Sequence, residues 1–163
     1  MNDLDVLKHS AARLIPIRDY ILGMTDGKRV IPMAIRAFPG GIDGTYDNYE
    51  ATGVPAKPTP EIKVTLFRVL KKGDIKGLIE SRGLLLKDMA FTDHQVIKMI
   101  EDHGGSLELD ENSVFFLVKI KEEYYLHQVR NRRRGLTMIS SADYHLQEVE
   151  CEKGFGMFLV LPS

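Results

Sequence analysis

Residues 113–140 constrain the fold more than any other part of the chain, because they carry three consecutive strand patterns. Apolar side chains alternate with a period of two in the first segment, at Val114, Phe116, Val118 and Ile120. The second segment is rich in aromatic and β-branched residues, which suit a pleated, half-buried surface. Residues 131–135 supply turn chemistry, since Asn and Gly both tolerate positive φ. The stretch therefore predicts an antiparallel β-meander.

The second face of the first predicted strand changes character along its length. It begins with Phe115 and Leu117 and ends with Lys119 and Lys121. A strand has this pattern when it leaves a core and emerges at the edge or the end of a sheet. We therefore expect the lysine end of this strand at the surface.

The length and composition predict a soluble globular protein. The chain has 163 residues, of which 44% are hydrophobic and 28% are charged, as in ordinary folded domains. Its net charge of −1 gives no global attraction to nucleic acid or to an anionic membrane. A single cysteine, Cys151, excludes an internal disulfide framework and a multi-cysteine metal site. Because no apolar run approaches the length of a bilayer span, we expect a cytoplasmic protein without a membrane partner.

Residues 1–37 are predicted to form an N-terminal helical arm and an edge strand. Asp3 is placed to cap the first helical turn, and Pro16 ends or kinks the helix before a second short one. Residues 29–38 alternate like a strand, and Pro32 within them favours an edge position. The apolar residues at helical spacing are Leu4, Leu7, Ala11 and Leu14, continued by Ile17, Tyr20 and Ile21.

Residues 38–60 are interpreted as a loop or linker rich in proline and glycine. They hold Pro39, Pro55, Pro58 and Pro60, four of the chain's seven prolines. A structureless stretch of this length is uncommon inside a compact domain unless it is functional or a linker. The main domain is then 61–163, and the alternative that all three segments form one domain stays open.

The main domain is predicted to be α+β, with an antiparallel sheet, a C-terminal β-meander and two to four short helices, at least one packed on the sheet. Thr92 and Gln95 form a capping-box pattern that opens a helix over residues 92–103. A shorter helix is expected between Asp74 and Gly83. Strands are expected over 61–70 and 156–161, and the segments 84–91 and 144–151 fit strand and helix equally.

An arginine cluster at the last turn of the meander is the first candidate site. An arginine fork binds phosphate through two parallel hydrogen bonds, and the aromatic side chains of the preceding strand offer surfaces on which unpaired bases stack. An acidic protein surface is a second possible partner, and a solvated turn paired loosely with nearby glutamates is the plain structural alternative. The residues concerned are Arg130, Arg132, Arg133 and Arg134, preceded by Tyr124, Tyr125 and His127.

A metal-dependent nuclease is the second candidate. Such sites combine an upstream carboxylate with an acidic residue and a lysine two apart on one strand, where the carboxylates hold the metal. Glu61 and Lys63 have this spacing, with Asp43 or Asp47 upstream. The pattern alone carries little information, because acid-x-Lys also occurs at residues 26–28 and 74–76.

The sequence favours a small, non-enzymatic binding protein without a cofactor. The arginine tip is expected to contact nucleic-acid phosphates, RNA more than DNA, or an acidic protein. The alternatives are the nuclease and a protein–protein inhibitor or adaptor that acts through the 38–60 loop. Phosphate-binding glycine motifs and nucleophile motifs do not occur in the chain.

Overall fold

A seven-stranded mixed sheet forms the body of the protein. The computed structural model describes residues 13–34, 36–44, 55–71, 75–107, 109, 112–132, 135–141 and 156–163. The strands follow one another across the sheet in the order β1-β3-β7-β4-β5-β6-β2. They are β1 (Arg13–Leu22), β2 (Gly41–Gly44), β3 (Ile62–Lys71), β4 (Asn112–Ile120), β5 (Glu123–Arg132), β6 (Gly135–Ser141) and β7 (Gly156–Pro162).

The described helices are short, and only one of them is longer than seven residues. They are α1 (Ile75–Ser81), α2 (Leu86–Met89) and α3 (Asp93–His103), with 3-10 turns at Ile31–Met33 and Gly104–Ser106. The capping box at the start of α3 is confirmed, because the Thr92 hydroxyl accepts a hydrogen bond from the Gln95 amide and the Gln95 side chain accepts one from the Thr92 amide. Four apolar side chains of α3 face the sheet, namely Val96, Ile97, Met99 and Ile100.

Apolar clusters lie on both faces of the sheet, and β4 contributes to both. Val114, Phe116 and Val118 belong to the cluster that α3 covers. Phe115 and Leu117 belong to the second cluster, together with side chains of α1 and α2. This double coverage explains why residues 114–118 read as a continuous apolar run, since a strand buried on both faces shows no alternation.

The predicted meander is confirmed. β4 pairs antiparallel with β5, and β5 pairs antiparallel with β6. A two-residue turn of Lys121 and Glu122 joins β4 to β5, because Ile120 pairs directly with Glu123. The strands predicted over 61–70 and 156–161 and the helix after Asp74 are also present as β3, β7 and α1.

The predicted architecture, a mainly antiparallel sheet with packed helices, is wrong. The protein is mostly sheet, and the sheet is mixed, because β7 runs parallel to β4 and β2 runs parallel to β6. Alternation along a strand indicates which face is buried but carries no information about the neighbouring strand or its direction. The final strand therefore has a predictable position in the sequence and an unpredicted place in the sheet.

The predicted short helix after Pro16 is also wrong, because residues 13–22 form β1 and pair antiparallel with β3. Isoleucines suit a strand, and long-range pairing overrides helical spacing in so short a segment. The start of the predicted helix, residues 1–12, lies outside the described residues. The described residues between 29 and 38 do not form a strand either. Pro32 lies in the first turn of a 3-10 helix, where its missing N–H costs no hydrogen bond.

β1 and β2 come from the two segments that precede the predicted main domain, and both are strands of the same sheet. β1 forms one edge of the sheet and β2 forms the other. The segment 144–151, which fitted two patterns equally, lies outside the described residues. Residues 84–91 contain the short helix α2 and a single β-bridge at Phe91.

Candidate anion-binding cleft

A cleft opens where β4 and β7 diverge. The parallel pairing of these strands ends at Phe116, and Phe91 takes the place of β7 beside the last part of β4. The Phe91 amide donates to the Leu117 carbonyl at 2.8 Å, and the Lys119 amide donates to the Phe91 carbonyl at 3.0 Å. The start of α3 is thereby fixed at the carboxyl ends of two parallel strands, a position at which open sheets commonly bind ligands.

Four segments line the cleft, which has a volume of about 540 Å³: residues 29–30, residues 55–57, Lys87 with residues 90–93, and residues 119–122. This volume lies within the usual range for small-molecule sites. The lining includes two carboxylates, Asp93 and Glu122, against five cationic side chains, so its net charge is +3. The cationic residues are Arg29, Lys57, Lys87, Lys119 and Lys121. The cleft is therefore locally basic in a chain whose net charge is −1.

Two of the five cations have acidic partners. Arg29 forms an ion pair with Glu101 of α3. The ammonium of Lys119 lies 3.8 Å from the Glu122 carboxylate and 5.7 Å from the centre of the Tyr124 ring. Within the described part of the chain, the remaining three form no ion pair; they are the exposed residues Lys57, Lys87 and Lys121. These three ammonium groups carry the uncompensated charge of the cleft.

Lys121 has an unusual backbone conformation. Its φ is +54°, and among the residues that the structure describes it is the one non-glycine residue with positive φ. Tight hairpin turns favour Asn or Gly at such positions, because a Cβ atom there costs roughly 1–2 kcal/mol. Strained positions of this kind cluster at functional sites, and this one places a lysine at the rim of the cleft.

The segment 55–57 is held in place by close backbone contacts. The Ala56 amide donates to the Gly27 carbonyl at 2.9 Å, and Thr25 and Thr59 exchange two backbone hydrogen bonds of 3.0 Å. Gly27 has a φ of +76°, and a Cβ atom there would lie 2.4 Å from the carbonyl oxygens of Ala56 and Lys57. Glycine is thus required where this wall of the cleft meets the turn after β1.

Asp93, the first residue of α3, contacts both the 3-10 turn and the sheet. Its Oδ2 accepts a hydrogen bond from the Ile31 amide at 3.0 Å, and its Oδ1 lies 3.8 Å from Nε2 of His127. His127 is completely buried in β5. Asp93 therefore orients the first turn of α3 against both the 3-10 turn and the central strands.

His94 lies beside the cleft and does not add to its charge at neutral pH. Its Nδ1 is 3.3 Å from the Asp26 carboxylate. Burial lowers the pKa of His94, although Asp26 acts in the opposite direction, with Arg29 and Lys98 lowering it further. The pKa of Asp26 is itself lowered, chiefly by the hydrogen bond from the Lys28 amide. The imidazole is therefore neutral, and the positive charge of the cleft comes from its lysines and arginine.

The arginine tip predicted from the sequence lies at the opposite end of β5 from the cleft. The ten residues of β5 span roughly 33 Å at the usual rise of a strand. Arg130 is half-buried within the strand, and its Nε is buried without a hydrogen-bond partner among the described residues. Residues 133 and 134 and the side chain of Arg132 lie outside the described residues.

The aromatic residues assigned to that tip do not surround it. Tyr124 and Tyr125 stand at the cleft end of β5, where both are half-buried. Burial raises the pKa of Tyr125, with a further contribution from Glu123. His127 is 0% exposed and so offers no surface on which a base stacks. Tyr124 and Tyr125 are therefore at the other end of β5 from Arg130.

Two of the residues proposed for the nuclease site lie far apart in the sheet. Asp43 is in β2 and Lys63 is in β3, and four strands separate the two in the sheet. The Lys63 ammonium lies 3.1 Å from the Asp19 carboxylate, while Glu61 is exposed before the start of β3 and Asp47 lies outside the described residues. In the described ranges, no group of three His, Cys, Asp or Glu side chains is placed to hold a metal ion.

Sequence reasoning missed most of the cleft. Arg29, Lys57 and Lys87 lie far apart along the chain, and only folding brings them together. The single usable signal was the strand face that ends in Lys119 and Lys121, which pointed to a surface-exposed end of β4. Their neighbours in the cleft depend on the unpredicted divergence of β4 from β7.

Comparison of the chain with family models, curated proteins and solved structures gives no match. The described helices include none that is long and apolar enough to cross a membrane. The fold and the site thus define a mixed-sheet protein with a basic cleft at the carboxyl end of β4.

Proposed function

We propose that the protein binds a phosphate-bearing ligand in the cleft, as a binding protein rather than as a catalyst. The observation that carries this proposal is the group of three exposed lysines, Lys57, Lys87 and Lys121, whose charges no described carboxylate neutralises. An anion that enters the cleft supplies the missing counter-charge. A cytoplasmic location, expected from the composition, belongs to the same proposal.

The chemistry of lysine favours an anionic ligand that has several acceptor oxygens. A lysine ammonium is a compact charge with three rotatable donors, so lysines on different segments can approach one phosphate group from different sides. The Thr92 end of α3 also borders the cleft, and the positive end of a helix dipole adds a favourable field for an anion. Both effects act at the same end of the sheet.

The arginine tip remains a separate proposal for a second binding surface. Its partner would be nucleic-acid phosphates, with RNA preferred over DNA, or an acidic protein. Arg130 supports it, because the Nε of this half-buried residue is buried without a partner among the described residues. The cleft and the tip lie at opposite ends of β5, so separate variants test them. The cleft is preferred because its described side chains converge on one space.

The test measures binding of inorganic pyrophosphate and ADP by calorimetry at low salt. The variant Lys87→Gln/Lys121→Gln removes two charges from the cleft, and we expect its affinity for both ligands to fall by about tenfold or more, since each exposed charge contributes on the order of 1 kcal/mol. The matched control Arg18→Gln/Arg68→Gln removes two exposed charges from β1 and β3, outside the cleft lining, and should bind like wild type.

Either of two results would contradict the proposal. The first is that the wild-type protein binds neither pyrophosphate nor ADP at low salt. The second is that both double variants lose affinity equally, which would indicate a general charge effect without a defined site. Higher ionic strength should weaken binding in the wild type, because exposed charges are screened beyond roughly 10 Å at 0.1 M salt.

A further inference from the structure

The apolar part of the cleft is not explained by a bare phosphate. The lining includes Val30, Ala90, Phe91 and Ile120 as well as Pro55 and Ala56. Val30 and Phe91 are only 8% and 2% exposed and are fixed by their neighbours, since Ile31 is hydrogen-bonded to Asp93 and Phe91 is hydrogen-bonded to β4. They form a rigid apolar floor, whereas a fully hydrated polyanion gains nothing from apolar contact.

The segments around this floor add further apolar side chains. Pro55 and Ala56 are small and exposed, and Ile120 lies at the end of β4. Both segments are held by backbone pairing, of Ala56 with Gly27 and of Ile120 with Glu123. A flat ring fits such a preformed space without the ordering of a flexible side chain, which would reduce affinity.

A carboxylate in the lining also favours a ligand that is more than bare phosphate. Glu122, whose side chain is largely exposed, lines a cleft that is otherwise basic, and a carboxylate repels a bare polyanion. A carboxylate is acceptor-only when ionised, so it favours a ligand that brings hydroxyl or amine donors together with its phosphate. A nucleotide combines all three features, namely phosphate, hydroxyl donors on the sugar and a flat ring.

We infer that the ligand of the cleft is a nucleotide, with its base on the apolar floor beside Pro55 and Ala56 and its phosphates at the lysines. This inference rests on the proposed function, and it adds the chemical class of the ligand. Nothing in the lining distinguishes one base from another, so ADP serves as the probe and pyrophosphate as the probe that lacks a nucleoside.

The experiment compares the affinities of ADP and pyrophosphate for the wild type and for Ala56→Leu. Burial of the base should make ADP bind at least about tenfold more tightly than pyrophosphate. Ala56→Leu fills the space beside the floor without changing a charge, so it should weaken ADP about tenfold and leave pyrophosphate unchanged. The control Ser81→Leu adds a leucine at an exposed position of α1 outside the cleft lining, and it should bind both ligands like wild type.

Three results would overturn the inference, and each contradicts a different part of it. Equal affinity for ADP and pyrophosphate would show that the base makes no contact, while the proposed phosphate site would stand. An unchanged ADP affinity in Ala56→Leu would show that the base does not lie beside Ala56. Absence of binding for both ligands would contradict the proposed function itself, and this inference with it.

Discussion

Lys121 combines an unfavourable backbone conformation with an exposed charge at the rim of the cleft. Its φ of +54° is tolerated by glycine without steric cost. Lys121→Gly should therefore raise the free energy of unfolding by about 1 kcal/mol, after allowance for the greater flexibility of glycine in the unfolded chain. Denaturant titration measures this change. The same variant should weaken phosphate binding, because it removes one of the uncompensated charges.

Lys121→Ala is the matched control for that prediction. Alanine has a Cβ atom and keeps the backbone strain, so it should not raise the free energy of unfolding, but it should weaken ligand binding as much as glycine does. A gain of stability in the alanine variant would show that strain at this position is not what lowers the stability. An unchanged affinity in both variants would remove Lys121 from the site.

His94 provides a prediction of pH dependence. Because burial lowers the pKa of His94 in the folded state, the unfolded chain binds a proton more readily as the pH falls through the unfolded value of about 6.5. The folded state should therefore lose stability between pH 7.5 and pH 5.5. His94→Gln should lose less unfolding free energy over this range, as measured by urea unfolding at several pH values. If the pH dependence of the unfolding free energy were the same in the variant and the wild type, His94 would not be its cause.

At the scale of elements, the wall of residues 55–57 depends on a glycine in the turn after β1. Gly27→Ala places a Cβ atom 2.4 Å from two carbonyl oxygens of that wall, in addition to the strain of a positive φ. We expect a loss of more than about 1 kcal/mol in unfolding free energy and a clear loss of ligand affinity, because the wall must move.

Gly83→Ala is the control that distinguishes backbone strain from the close contact with residues 55–57 in the Gly27→Ala prediction. Gly83 has a similar φ of +71°, with no atom within 4 Å of a Cβ built there. This variant should show the cost of strain alone and should bind ligand like wild type. If the two alanine variants lost equal stability and retained equal affinity, the close contact with the 55–57 wall would have no role.

The elements themselves differed in how far the sequence predicted them. α3 was predictable because its start signal is local: Thr92 and Gln95 satisfy the first turn whatever the rest of the chain does. The meander was predictable because its strands follow one another through short turns. β1 was not predictable, since it pairs with residues of β3 some 50 positions away. The spacing of apolar residues within a short segment does not indicate such a distant partner.

The candidate site was less predictable than the elements for the same physical reason. The arginine cluster is contiguous in the sequence and therefore conspicuous, whereas the cations of the cleft lie on four separate segments that converge only in the folded protein. Only the lysine end of β4 was visible beforehand. His127 illustrates the opposite error, because it was assigned to a ligand-binding tip although it is completely buried, with Asp93 of α3 beside it.

At the scale of the whole molecule, charge is distributed unevenly along one hairpin. The β4–β5 turn borders the cleft, and the predicted arginine tip lies at the far end of β5, while the chain as a whole carries a net charge of −1. An anionic ligand is therefore attracted by local fields rather than by the net charge. The central claim is that the cleft, and not the far tip, is the site that binds phosphate.

The most direct test of this claim follows backbone amide chemical shifts during a titration with pyrophosphate. The account predicts that the largest changes occur in residues 29–30, 55–57, 90–93 and 119–122, and that Lys87→Gln/Lys121→Gln needs about tenfold more pyrophosphate or more to reach them. Changes concentrated in residues 130–136, at the other end of β5, would contradict it and would assign phosphate binding to the arginine tip.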